Sequence, residues 1–111
     1  MSTTFEKEYM GTKPVTKTKP QPNFDLKEPP MYRVIYINDA VTTMEFVVKT
    51  LMTIFNYTSE AAHDITMKVH AEGSAIVAVL PYEMAEQKGV EVTQLARNNG
   101  FPLAVKLEPD V

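Results

Sequence analysis

The chain has 111 residues, below the ~150 of a typical domain, so a single domain is expected. Fourteen acids against eleven bases leave a net charge of −3, too small and of the wrong sign for a protein whose affinity rests on nucleic-acid phosphates. The absence of Cys excludes disulfides, thiolate metal sites and cysteine nucleophiles. Two histidines argue against a histidine-rich metal site. No apolar run approaches the roughly 18 residues of a membrane-spanning helix.

Composition divides the chain. Residues 1–30 hold five of the eight prolines, no Ile, and five Lys against four acids. Residues 31–111 carry six bases against ten acids and nearly all the Val, Ile, Leu and Met. A stretch so poor in bulky aliphatics cannot offset its ordering entropy, so 1–30 is expected to be a disordered extension and 31–111 the folded unit. The extension has no contiguous apolar core and no Arg, and it carries Glu6, Glu8, Asp25 and Glu28. Neither a secretory signal nor a transit peptide fits. A soluble cytoplasmic protein is the remaining expectation.

After Pro29-Pro30, the run Met31-Tyr32-Arg33-Val34-Ile35-Tyr36-Ile37 is dense in β-branched and aromatic residues and predicts a strand. Asn38-Asp39 supplies turn chemistry. Thr42-Thr43-Met44-Glu45 matches a capping box, with Thr42 as the cap and Glu45 reaching back. Behind it Met44, Val47, Val48, Leu51, Met52 and Phe55 recur at helical spacing. A second helix is predicted after Thr58, running through Ala62, Ile65 and Val69 to Gly73. Ser74 to Leu80 reads as a buried strand, and Pro81 suits the start of a third helix at Tyr82 or Glu83. Gly89 weakens the middle of that helix by about 1 kcal/mol against Ala. Asn99-Gly100 stops it, and Leu103 to Leu107 reads as the last strand. The order β-α-α-β-α-β, with three strands and helices on one face, makes a two-layer α/β or α+β sandwich.

Local chemistry at the end of the first strand leaves alternatives open. Asn38 and Asp39 read as turn formers unless a second polar group joins them, and His70, ending the second helix, is the candidate partner. A small hydrolase built on Asp39, His70 and Ser74 is one alternative, but no G-x-S-x-G elbow surrounds Ser74. His63 and His70 lie seven apart, about 10.5 Å along a helix axis, and lack the i, i+4 spacing of a zinc helix. No metal or other cofactor is implied.

Three runs, IYINDAVTTMEFVVKTL, VHAEGSAIVAVL and PYEMAEQK…LARNNGFPLAVKLE, together resemble the ClpS family, adaptors that deliver N-degron proteins to the Clp AAA+ protease. The resemblance covers roughly residues 31–108 without gaps. It implies a β-α-α-β-α-β fold with a three-stranded antiparallel sheet packed on three helices. It implies a non-enzymatic adaptor that holds a substrate's first residue, Leu, Phe, Tyr or Trp, and passes the bound protein to an unfoldase. By this resemblance Asn38, Asp39 and His70 hold the free α-amino group. The chemistry agrees: a protonated amine only donates, and a carboxylate is its strongest acceptor. A histidine accepts only when neutral, so binding should weaken as the imidazole takes a proton.

The apolar pocket maps to Ile37, Thr42, Met44, Val47, Thr66, Val69 and Leu103. The unfoldase N-domain, ClpA- or ClpC-like, would dock on Glu83 and Lys88, and residues 1–30 would contact the unfoldase during delivery. Three positions depart from the family pattern: Ala40 stands where a second aspartate is common, Thr43 where proline is common, and Thr66 where many bacterial members carry methionine. Neither nucleic acid nor a membrane is expected as a partner, and nothing demands more than a monomer. The rival binding module is a domain like the C-terminal part of the ribosomal stalk protein, which recruits partners through helix surfaces. It would be indifferent to a peptide's first residue.

Overall fold

The computed structural model describes residues 29–111. The expected disorder of residues 1–30 therefore lies almost wholly outside the described residues. Six elements follow in the order β1 (Met31–Ile37), α1 (Met44–Thr53), α2 (Ser59–Glu72), β2 (Ser74–Pro81), α3 (Tyr82–Asn98) and β3 (Ala104–Pro109). The sheet is antiparallel throughout with β1 in the centre, flanked by β2 and β3. Side chains alternate across a strand: Val34 and Tyr36 of β1 join Ala75 and Val77 of β2 in the core. The helices complete it with Phe46, Val47, Leu51, Ala62, Val69, Ala85, Val92 and Ala96.

The β1–β2 register shifts at one point. Val34 faces Ala78 and Ile35 faces Ile76, so Val77 is the extra residue of a bulge. Its carbonyl accepts the Tyr57 hydroxyl, which ties the α1–α2 connection to the sheet.

Two boundaries differ from the sequence reading. The cap of α1 is Thr43, whose hydroxyl accepts from the Phe46 amide at 3.2 Å. Thr42 is instead part of the turn before the helix, with its amide and hydroxyl both donating to Asp39. The last strand starts at Ala104, opposite Ile37. Leu103 precedes it because its carbonyl lies within reach of the Arg97 guanidinium, at 3.4 Å.

The apolar stripe of α1 is also divided. Val47 and Leu51 are buried together with Phe46 and Thr50, whereas Met44 and Met52 are 38% and 39% exposed. Aromatic packing of Phe46 on Phe101 and the Tyr36–Thr50 hydrogen bond turn the helix that way.

Two glycines have opposite roles. Gly73 caps α2 at φ +89 with its N–H on the Val69 carbonyl, and open space surrounds the position of a Cβ. Gly89 lies inside α3 at an ordinary helical conformation, where a Cβ would sit 3.6 Å from Val105, an ordinary contact. Gly73→Ala is therefore expected to cost about 1–2 kcal/mol from backbone strain alone, while Gly89→Ala should gain about 0.5–1 kcal/mol. Urea unfolding of the two variants checks this, and a gain from Gly73→Ala would contradict the left-handed cap.

Candidate functional site

The end of β1 and the end of α2 meet. The Asn38 amide donates to the Gly73 carbonyl at 2.9 Å, which sets Asn38 and Asp39 beside Val69 and His70. The four-residue approach to α1 is then held by one carboxylate. Asp39 Oδ1 accepts from the Val41 and Thr42 amides at 2.8 and 2.7 Å, and Oδ2 accepts the Thr42 hydroxyl at 2.7 Å. Partial burial alone would raise the Asp39 pKa, but these hydrogen bonds and the Arg97 charge outweigh it and leave the carboxyl below its ordinary value. The sign follows: the loop bonds are complete at neutral pH and are lost only as pH falls through that depressed value.

A second anchor lies beneath. Thr50 Oγ1 donates to the Val47 carbonyl at 2.8 Å, and a carbonyl can only accept. The fully buried Tyr36 hydroxyl, 2.8 Å away, must therefore donate to Thr50. Burial pushes the Tyr36 pKa far above its ordinary value against the weaker effect of that bond. The chain Tyr36–Thr50–Val47 holds α1 on β1 at the level of the site.

Between these anchors is a hollow of about 340 Å³ lined by Asn38, Asp39, Ala40, Thr42, Met44, Val47, Thr66, Val69 and His70. Asn38 and His70 are exposed, and Asp39 and Thr42 are half-buried. Val47, Thr66 and Val69 are buried. Oxygen and nitrogen acceptors thus stand with apolar walls around one space. A carboxylate offers about four lone-pair positions; the loop occupies three and leaves one. With the Asn38 carbonyl and a neutral His70 nitrogen, this set matches a three-donor ammonium beside an apolar side chain. A hollow of about 270 Å³ between α3 and β3 also sets polar groups, Glu86, Thr93 and Gln94, beside Val90, Val105 and Leu107, but its carboxylate is exposed on α3, whereas Asp39 is held in place by two backbone amides.

Of the residues expected at the site, Asn38, Asp39, His70, Thr42, Met44, Val47, Thr66 and Val69 come together. Ile37 and Leu103 are not among the residues that line this hollow. Ile37 lines a different hollow, with Ser74 and Lys106, because it alternates away from the inward-facing Tyr36. Leu103 is a core side chain, 1% exposed. Ser74 belongs to the Ile37 hollow and not to the one holding Asp39 and His70, so the triad reading has no common space. Among the described residues no cluster of three or more His, Cys, Asp or Glu could hold a metal, and no helix is long and apolar enough to cross a membrane. Ala40 was considered in the sequence only as a missing aspartate, yet it forms part of the wall. Glu83 is exposed on the first turn of α3, whereas the half-buried Lys88 donates to the Ile54 carbonyl at 2.9 Å.

Three comparisons bear on the chain. The family model described as "ATP-dependent Clp protease adaptor protein ClpS" matches residues 27–106. The ATP-dependent Clp protease adapter protein ClpS of Acetivibrio thermocellus is 42% identical over 95 residues, covering 86% of this chain and 96% of its own length. The protein of the same name from Treponema denticola is 46% identical over 81 residues, 73% of this chain and 80% of its own. Among solved structures, Agrobacterium tumefaciens ClpS2 bound to L-phenylalaninamide superposes with a TM-score of 0.73 at 36% identity, covering 75% of this chain and all of that one.

The buried anchor generates a prediction about order. Thr50→Val leaves the Tyr36 hydroxyl buried without an acceptor and should cost about 1–3 kcal/mol. Tyr36→Phe removes the hydroxyl itself and should cost about 1 kcal/mol. Equal losses in urea unfolding would contradict the assigned donor direction.

Proposed function

The chain belongs to the ClpS family of ATP-dependent Clp protease adaptors, and we propose that it captures proteins by a bulky hydrophobic first residue and delivers them to a Clp unfoldase. The observation that carries this reading is the single hollow that joins Asn38, Asp39 and His70 to the apolar walls of Met44, Val47, Thr66 and Val69. L-phenylalaninamide, the molecule bound by the Agrobacterium relative, has a free α-amine, a benzyl group and an amide in place of the next peptide bond. It represents the first residue of a protein chain.

The ammonium donates to the Asn38 carbonyl, the remaining lone pair of Asp39 and the neutral ring of His70. Charge-assisted bonds of this kind are about twice as strong as neutral ones, and an acetylated amine has neither the charge nor the donors. The side chain of the first residue lies against Met44, Val47 and Val69, where apolar burial supplies affinity with little direction. The carboxylate bonds to Val41 and Thr42 hold the loop in place before ligand arrives, so little ordering entropy remains to be lost on binding. The role is non-enzymatic: binding and hand-over.

The partner that receives the substrate is the N-domain of a ClpA- or ClpC-like unfoldase. Glu83, exposed on the α3 surface, is the stronger contact of the expected pair. Lys88 holds the end of α1 through Ile54, so its loss would act on the fold as well as on docking.

Fluorescence anisotropy of peptides differing only in the first residue tests this reading. Peptides starting with Phe, Tyr, Trp or Leu should bind, and an N-acetylated Phe control should not. Asp39→Ala should weaken the Phe peptide by about 2 kcal/mol, roughly thirtyfold in Kd. Unmodified binding of the acetylated peptide, or an unaffected Asp39→Ala variant, would overturn the amine site.

A further inference from the structure

The site hollow has a neighbour on its far side. A second hollow of about 330 Å³ is lined by Met44, Glu45, Val48, His63, Thr66 and Met67. Met44 and Thr66 line both spaces, so these two side chains are the partition between them.

The partition is slight. Thr66 is buried, and its hydroxyl donates to the Ala62 carbonyl of its own helix at 2.7 Å. A short side chain, its donor already committed, is all that α2 places there. Opposite it, Met44 is the first residue of α1 and 38% exposed. An unbranched thioether with three rotatable bonds changes rotamer readily, and at a helix start it can do so without disturbing the buried Val47 and Leu51. Beyond the partition the walls are apolar at Val48 and Met67. They end in a polar rim at Glu45 and His63, whose Nδ1 donates to the Ser59 carbonyl at 3.1 Å.

We infer that Thr66 leaves the first-residue hollow open at its base, and that a first side chain longer than phenylalanine passes between Met44 and Thr66 into the second hollow. This rests on the reading of the first hollow as the seat of a protein's first residue. The occupant is the distal end of that same side chain, because the two spaces are divided only by Met44 and Thr66 and an apolar group anchored in the first is aimed at the apolar walls of the second. A long unbranched group such as the methionine side chain would fill the gap where threonine stands. Pocket depth is then set at position 66, and elongated aromatic first residues are accepted along with phenylalanine.

The test compares two peptides identical except for the first residue, phenylalanine or 4-phenyl-phenylalanine, each with an N-acetylated control. The unmodified protein should bind the biphenyl peptide within about threefold of the phenylalanine peptide. Thr66→Met should lower the ratio of biphenyl to phenylalanine affinity by about tenfold or more, the scale on which a closed apolar pocket rejects excess volume. Met67→Trp fills the second hollow from a position 51% exposed that lines only that space. It should lower the same ratio, and it decides the matter if circular dichroism shows Thr66→Met unfolded. A biphenyl peptide bound more than about tenfold below phenylalanine by the unmodified protein, or an unchanged ratio in the folded variants, overturns the inference. Failure of the underlying reading looks different: the phenylalanine peptide itself would not bind, or would bind equally when acetylated, and the inference would fall with it.

Discussion

The hydrogen bond from the Asn38 amide to the Gly73 carbonyl is the contact on which the site depends. It extends the β1–β2 ladder, in which Ile37 faces Ser74, by one bond and so fixes the end of the central strand beside the end of α2. Gly73 can serve both because its left-handed conformation closes α2, with its own N–H on the Val69 carbonyl, while its carbonyl remains available to the strand. The next residue, Ser74, opens β2 opposite Ile37. One glycine therefore ends a helix, starts a strand and carries the strand-end acceptors Asn38 and Asp39 to the helix-end acceptor His70. Asn38 and His70 are 32 residues apart in the chain, yet the β1–β2 register and this junction bring their turns together.

Two polar contacts then give the junction a floor and a wall. Asp39 spends most of its accepting capacity on its own loop. Those bonds keep the charge in one place and hold Thr42 at the hollow. The Tyr36–Thr50–Val47 chain does the same for α1 from within the core, where an unmatched hydroxyl would be costly. Polar groups thus locate the site, and apolar side chains supply the surface it offers.

Much of the fold was legible from residue pattern. The β-branched runs gave β1 and β2, Thr58 and Gly73 bounded α2, and Pro81 preceded α3, because each signal is local. The N-cap of α1 was not, since Thr42 and Thr43 are chemically equal candidates until Asp39 engages the first. The helical stripe of α1 combined two faces: Val47 and Leu51 meet the sheet, whereas Met44, Val48 and Met52 lie toward α2 or solvent, and spacing alone does not separate them. At the site, local chemistry left Asn38 and Asp39 as turn formers with His70 as a candidate partner, and only the family resemblance gave the three a joint role at an amine. That Ile37 alternates away from Tyr36 follows from the two-residue period of β1; the burial of Leu103 does not, because it depends on how α3 and the Phe101-Pro102 turn close over the sheet. Lys88 reads as a surface charge, and nothing in its neighbours announces the Ile54 carbonyl.

The central claim is that one hollow receives both the charged amine and the side chain of a protein's first residue. Backbone amide NMR during titration with L-phenylalaninamide and its N-acetylated form tests it most directly. The account predicts shifts concentrated at residues 38–44 and at Val47, Thr66, Val69 and His70, saturating with the free amine and absent with the acetylated compound. Shifts centred on α3, or equal responses to both compounds, would contradict it.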